Sequence, residues 1–210
     1  MSSTSWRSII GLEATRLGPS LYAAMSVALV ASENRARGLL HSKYPHLRPL
    51  LVRSELREYL ESELLPSGWQ VGGNPGLMGQ VLLKNPELAV TLRILKERRK
   101  AYPQGVPPAG RNPARRREWQ APLPAMEAAV TTEVELLLLW DYAKGGDETS
   151  FTLRIVHTTE AGIYGKAVEC DLDLEVVAGG TIFETLSFQG DDDDEDFFFQ
   201  VEIDKAENDQ

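Results

Sequence analysis

Residues 95–119, here called the basic segment, concentrate positive charge that could bind a polyanion. They carry eight basic and two acidic side chains, within a chain of 210 residues whose net charge is −9. Polyanion binding needs several lysines and arginines spaced to reach phosphates. We therefore predict a polyanion-binding site made of Lys96, Arg98, Arg99, Lys100, Arg111, Arg115, Arg116 and Arg117.

The partner of the basic segment is left open by its sequence. Nucleic acid is one candidate, because Tyr102 and Trp119 flank the charged clusters and aromatic rings can stack on unpaired bases. An acidic protein surface, on this chain or on another, is a second candidate. In a third interpretation, the charges only keep a surface loop solvated.

Residues 166–177 (KAVECDLDLEVV) alternate apolar and acidic side chains, which predicts a strand with one acidic face. The expected core face consists of Val168, Cys170, Leu172, Leu174 and Val176. The expected acidic surface consists of Glu169, Asp171, Asp173 and Glu175. An exposed sheet face is the simplest interpretation. A divalent metal at Asp171 and Asp173, with Lys166 nearby, would instead give a metal-dependent hydrolase, which is our third hypothesis.

The motifs that identify common enzyme classes are missing from the chain. Three histidines and one cysteine cannot form a zinc pattern, and no serine lies in a nucleophile elbow. The glycine-rich residues 72–80 lack the Gly-Lys-Ser/Thr sequence of a phosphate-binding loop. We therefore expect no catalytic residue, metal or cofactor. The single Cys170 fits a core position and a reducing compartment, which favours a cytoplasmic protein.

The first 65 residues have the apolar spacing of helices. Helices are predicted over 5–17, 21–40 and 48–65, and Gly18 and Pro19 are expected to end the first of them. The apolar run in the second helix is too short to span a bilayer, so no membrane partner is expected.

The apolar period changes to two after residue 68. Residues 69–96 are predicted to form a three-stranded antiparallel meander. Six prolines within 101–124 predict an irregular connector. Inside this connector, Asn112 and Pro113 have the residue types of a helix start, which predicts a short helix with three consecutive arginines.

The last third of the chain is predicted to form antiparallel strands. Strands are expected over 134–140, 151–157, 166–177, 181–188 and 197–203. Six acids at 191–196, here called the acidic tract, precede three phenylalanines. The tract could mimic a phosphate backbone, or it could be a loop whose charges oppose aggregation of the adjacent apolar strand.

Together these features predict an α+β fold and a charge-divided chain. The expected organisation is a helical part with a meander (1–100), a basic connector (101–124), an antiparallel β domain (125–204) and a frayed tail (205–210). Residues 1–120 carry 18 basic and 9 acidic side chains, whereas residues 121–210 carry 4 and 22. This asymmetry predicts a partner or self-association.

The leading hypothesis is a non-enzymatic intracellular binding protein whose basic connector binds a polyanion, with modulation by the acidic β region. The alternative is an assembly protein in which the basic connector docks like a strap on an acidic sheet of the same or another chain.

Overall fold

A computed structural model describes residues 6–40, 43–120, 123, 133–143 and 150–179, and it confirms the predicted α+β class. The helices are α1 (Trp6–Ala36), α2 (Leu47–Ser62) and α3 (Pro113–Glu118). The strands are β1 (Gln70–Gly72), β2 (Leu82–Asn85), β3 (Val90–Lys96), β4 (Val134–Tyr142), β5 (Phe151–Thr158) and β6 (Cys170–Val176). The strands predicted at 181–188 and 197–203, the acidic tract and the frayed tail lie outside the described residues.

The six strands form one sheet in chain order. The predicted meander is confirmed, because β1, β2 and β3 pair in antiparallel fashion. Strands β3 and β4 are parallel, from Val90 opposite Val134 to Lys96 opposite Trp140. A parallel pair requires a crossover, which residues 97–133 supply. Strands from both sides of the connector thus share one sheet, and the division into domains stays a prediction.

Helix α1 is continuous where the sequence predicted two helices, so the expected stop at Gly18 and Pro19 is wrong. Pro19 lies inside the helix and removes one backbone hydrogen bond. Apolar side chains nevertheless continue at helical spacing on both sides of it, and their burial holds the helix together. The buried row is Ile10, Ala14, Leu17, Leu21, Ala24 and Ala28. Within the described residues, no helix is both long and apolar enough to cross a membrane.

Strand β4 is buried on both faces, which explains its uninterrupted apolar sequence. On one face, Leu136, Leu138 and Trp140 pack in the core cluster that includes α1 and α2. On the other face, Leu137 and Leu139 pack in a second cluster with side chains of the basic segment, namely Val106, Ala109 and Trp119. The basic segment therefore covers the face of the sheet opposite to the two long helices.

Strand β6 begins four residues later than the start of the predicted strand, and its apolar side chains do not all share one face. His157 lies opposite Leu172 while Thr158 lies opposite Cys170, so Asp171 is an extra residue in a β-bulge. One extra residue reverses the alternation of side chains. Val168 and Cys170 therefore pack with the second cluster, whereas Leu172, Leu174 and Val176 face the helices.

Candidate functional site

A buried carboxylate, Glu97, fastens the basic segment to the sheet. Its side chain is only 1% exposed, and its Oε1 accepts a hydrogen bond of 2.6 Å from Nε of Arg154 in β5. Its Oε2 accepts a hydrogen bond from Arg99. Arg154 also donates to Asp173 of β6 and to the backbone carbonyl of Gln104. An acid of the basic segment thus binds an arginine of the acidic part of the chain (residues 121–210). The sequence had instead suggested that basic residues of the segment would bind acids of that part.

The charges around Arg154 shift the pKa values of this cluster. Burial would lower the pKa of Arg154, but the charges of Asp173 and Glu97 and their hydrogen bonds outweigh burial and raise it. Burial raises the pKa of Asp173 even though Arg154 opposes the shift. Burial, together with the negative charge of Asp173, raises the pKa of Cys170 to about 12. The thiol is therefore protonated at neutral pH, as expected for the core role predicted from the sequence.

The turn above Glu97 requires a glycine at position 105. Gly105 has a φ of +79°, and a Cβ atom there would lie 2.6 Å from Oε2 of Glu97. We expect Gly105→Ala to lower the free energy of unfolding by about 2 kcal/mol, because left-handed backbone strain and a displaced carboxylate act together. Urea denaturation measures this change.

Gly110 provides the matched control for that substitution. Its φ is +76°, and a Cβ atom there would meet nothing within 4 Å. Gly110→Ala therefore costs only the backbone strain, about 1 kcal/mol. Equal losses of stability in the two variants would show that the contact with Glu97 contributes nothing.

Intramolecular contacts engage three of the eight predicted polyanion-binding residues near β3. Lys96 donates a hydrogen bond to Asp141 of β4. Arg99 pairs with the buried Glu97. The guanidinium of Arg98 lies over the ring of Tyr102, 5.7 Å from its centroid, and the side chain is exposed. The charges of Lys96 and Arg99 are therefore already partly neutralised by this chain.

The other five predicted residues are less engaged. Arg115 is half-buried, and its Nη1 donates a weak hydrogen bond of 3.5 Å to the carbonyl of Ala109. Four further basic side chains are exposed and form no ion pair with any described residue, and these are Lys100, Arg111, Arg116 and Arg117. The free positive charge of the basic segment thus lies mainly on α3 and beside it.

Helix α3 holds its arginines on a fixed support. Asn112 caps the helix, since its Oδ1 accepts hydrogen bonds from the backbone amides of Ala114 and Arg115 at 2.9 and 3.2 Å. This confirms the predicted helix start. At the other end, the carbonyl of the buried Trp119 accepts a hydrogen bond of 2.9 Å from Thr158 of β5. Capping and this anchor fix the short helix against the sheet.

Glu118, the acid at the end of α3, shares a hydrogen bond with Glu135 of β4. A hydrogen bond with Glu135, together with burial, raises the pKa of Glu118. Burial alone would raise the pKa of Glu135, but hydrogen bonds from Arg93 and Glu118 lower it. Glu135 is therefore the stronger acid of the pair.

The two aromatic residues proposed for base stacking are buried, so that expectation is wrong. Tyr102 is 3% exposed and Trp119 is 2% exposed, and Trp119 packs in the second cluster. Among the described residues, Tyr164 in the loop between β5 and β6 is an exposed aromatic on this side of the sheet. No role was predicted for Tyr164 from the sequence. The available signal was an aromatic residue between two glycines, Gly162 and Gly165, within a predicted loop.

The predicted acidic surface does not meet the α3 arginines in the described structure. Asp171 bonds to Nδ1 of His157 at 2.6 Å, and Asp173 bonds to Arg154 at 2.5 Å. Glu169 and Glu175 are exposed. The β-bulge at Asp171 separates Glu169 from the regular alternation of the other three. The exposed acids and the exposed arginines are thus separate features of the described surface.

The described residues offer no alternative centre for metal chemistry. Across the described ranges, no group of three or more His, Cys, Asp or Glu side chains could hold a metal ion. The chain matches no protein-family model, and neither curated proteins nor solved structures gave a match to it. The charged surface is therefore the feature of the described residues from which a function can be inferred.

Proposed function

We propose that this chain is a non-enzymatic binding protein that uses α3 and the adjoining basic segment to bind a polyanion, with nucleic acid as the favoured partner. One observation carries the proposal. Arg116 and Arg117 are exposed on a capped and anchored helix, and no described acid pairs with them. Unpaired guanidinium groups retain all their donors for phosphate oxygens. A cytoplasmic location, motivated by the lone cysteine, belongs to the same proposal.

The eight predicted residues contribute unequally in this proposal. Lys96 and Arg99 contribute little, because Asp141 and Glu97 already hold them. In this proposal the main phosphate contacts come from the exposed Arg111, Arg116 and Arg117. The exposed Lys100 and Arg98 supply additional contacts. About five phosphate contacts would make log affinity fall with log salt at a slope near −4.5 for duplex DNA and near −3.5 for a single strand.

In this proposal, the acidic tract is the part of the acidic β region that modulates polyanion binding. Three acids on the strands already form ion pairs: Glu135 with Arg93, Asp141 with Lys96, and Asp173 with Arg154. The six consecutive acids at 191–196 are the largest concentration of negative charge in the sequence. We propose that this tract competes with the polyanion for the α3 arginines.

The proposal is tested by titrating the full chain into a labelled oligothymidylate of about 20 nucleotides, followed by fluorescence anisotropy across a salt series. Removing two phosphate contacts by Arg116→Gln with Arg117→Gln should weaken binding about tenfold at the lowest salt. It should also reduce the magnitude of the slope by about 1.4. Labelled heparin should respond to the same variant, since the contact is electrostatic.

The matched control removes two exposed basic residues on the other side of the sheet, by Arg37→Gln with Lys43→Gln. This control changes the net charge equally and should alter affinity less than about twofold, because surface charges beyond a Debye length are screened. A wild-type chain that binds neither probe at low salt would overturn the proposed function.

The assembly hypothesis is favoured by a different observation. The exposed α3 arginines and the exposed Glu169 and Glu175 lie on one chain without pairing in its described part. A second copy could pair them head to tail. Light scattering without any polyanion decides this point: an assembly of this kind shows a molar mass that falls as salt rises, whereas a simple polyanion binder keeps one mass throughout.

A further inference from the structure

We propose that Tyr164 is a stacking platform for an unpaired base, so that the polyanion bound by this chain is a single-stranded nucleic acid. This inference rests on the function proposed above and names its partner more closely. Tyr164 lies in the loop between β5 and β6 and is 76% exposed, next to Ile163, which is 63% exposed. A large ring with this exposure is available to a ligand without any rearrangement of the core.

A buried aromatic residue packs against the ring of Tyr164, and a cation lies over that buried residue. The ring centroids of Tyr164 and Tyr102 are 5.5 Å apart, and the two rings meet edge to face at 79°. The guanidinium of Arg98 lies over the same Tyr102 ring. An exposed ring, a buried ring and an arginine are thus joined in one cluster. Such a combination of aromatic surface with positive charge binds stacked bases and their phosphates.

The loop that carries Tyr164 is docked on the basic segment, which gives the ring a fixed place. The amide of Ala109 donates a hydrogen bond of 2.8 Å to the carbonyl of Ala161, and the amide of Lys166 donates one of 3.1 Å to Ile163. Ala161 and Val168, at the two ends of the loop, are buried in the second core cluster. The loop therefore does not have to be ordered when a ligand binds.

Tyr164 and the α3 arginines are connected through the same stretch of backbone. Ala109, whose amide bonds to the Tyr164 loop, accepts the hydrogen bond of Arg115 with its carbonyl. Both features lie on the face of the sheet that the basic segment covers. A strand whose phosphates contact α3 can therefore present a neighbouring base to Tyr164.

Single strands fit this cluster better than duplexes or other polyanions. Bases in a duplex are already stacked on each other, whereas every unpaired base offers a free face to an aromatic ring. Heparin and polyphosphate match the arginines but have no base to stack. The tyrosine therefore separates these partners by their chemistry.

The test compares three labelled probes with the full chain: an oligothymidylate, a DNA duplex of equal length, and heparin. Tyr164→Ala should weaken binding of the oligothymidylate about tenfold. Its affinity for heparin should stay unchanged, which also shows that the variant is folded. Tyr164→Phe keeps the ring and should bind all three probes as the wild type does. The wild-type chain should prefer the single strand to the duplex.

The outcomes separate this inference from the proposed function. If Tyr164→Ala bound oligothymidylate as tightly as the wild type, base stacking would be overturned while polyanion binding stands. The same conclusion would follow if Tyr164→Ala lost as much affinity for heparin as for oligothymidylate. A duplex preference in the wild-type chain would likewise overturn the single-strand assignment. Failure of the wild-type chain to bind any of the probes would overturn both.

Discussion

Glu97→Ala is expected to lower the free energy of unfolding by about 3 kcal/mol, the largest loss of stability predicted for this chain. The substitution leaves the partly buried Arg154 without its buried partner, whose side chain is 1% exposed. Removing one member of a buried ion pair typically costs about 3–5 kcal/mol. The lower value applies because Arg154 keeps Asp173 and the carbonyl of Gln104. For a chain of this size, the midpoint of thermal unfolding should fall by about 6–12 °C.

Two further variants show whether the loss comes from the buried charge. Glu97→Gln keeps the shape and one acceptor but removes the charge, so an intermediate loss is expected. Glu87→Ala removes an exposed glutamate at the β2–β3 turn and should change stability by less than about 0.5 kcal/mol. If calorimetry gave Glu97→Ala the same midpoint as Glu87→Ala, the anchoring role assigned to Glu97 would be wrong.

Local signals in the sequence predicted most of the described elements. Asn112 followed by Pro113 predicted the start of α3, because a side-chain cap depends only on the next three residues. Residues 48–65 predicted α2, and the alternation over 88–96 predicted β3. These features are set by neighbours in the chain, so spacing and residue type were sufficient to find them.

The features that were missed depend on distant parts of the chain. Pro19 stays helical because the buried row on both sides of it packs against the rest of the core. The bulge at Asp171 arises from pairing with β5, and its effect on the faces of Val168 and Cys170 cannot be read from alternation alone. The parallel pairing of β3 with β4 joins segments that are separated by the whole crossover.

The same distinction applies to the candidate site. Composition identified the basic segment, but it could not show which charges are already neutralised. Asp141, the partner of Lys96, is 45 residues away in sequence, and Arg154, the partner of Glu97, is 57 residues away. Parallel register places Lys96 opposite Trp140, next to Asp141, and only the folded sheet brings that acid within reach. The exposure of Tyr164 and the burial of Trp119 are likewise properties of packing.

Neutralising the acidic tract is expected to tighten polyanion binding about tenfold at low salt. The change is Asp191→Asn, Asp192→Asn, Asp193→Asn and Asp194→Asn in the full chain. A tethered competitor acts at an effective concentration in the millimolar range, so its removal frees the α3 arginines for the external ligand. The gain should shrink as salt rises, because both contacts are electrostatic. Fluorescence anisotropy with oligothymidylate and with heparin measures it.

The control neutralises four exposed acids elsewhere, with each residue changed to glutamine: Glu58, Glu63, Glu87 and Glu175. Net charge changes equally in the two variants, so a general reduction of repulsion would tighten binding equally in both. Competition for specific arginines predicts a gain only with the acidic tract.

A variant that combines the neutralised tract with Arg116→Gln and Arg117→Gln locates the effect. If the tract occupies these arginines, its neutralisation gives little further gain once they are removed, since the two changes are then coupled. If the effects of the two changes on binding were additive, the tract would act somewhere else on the chain. In that case the arginines would remain the binding site, and the regulation proposed for them would be lost.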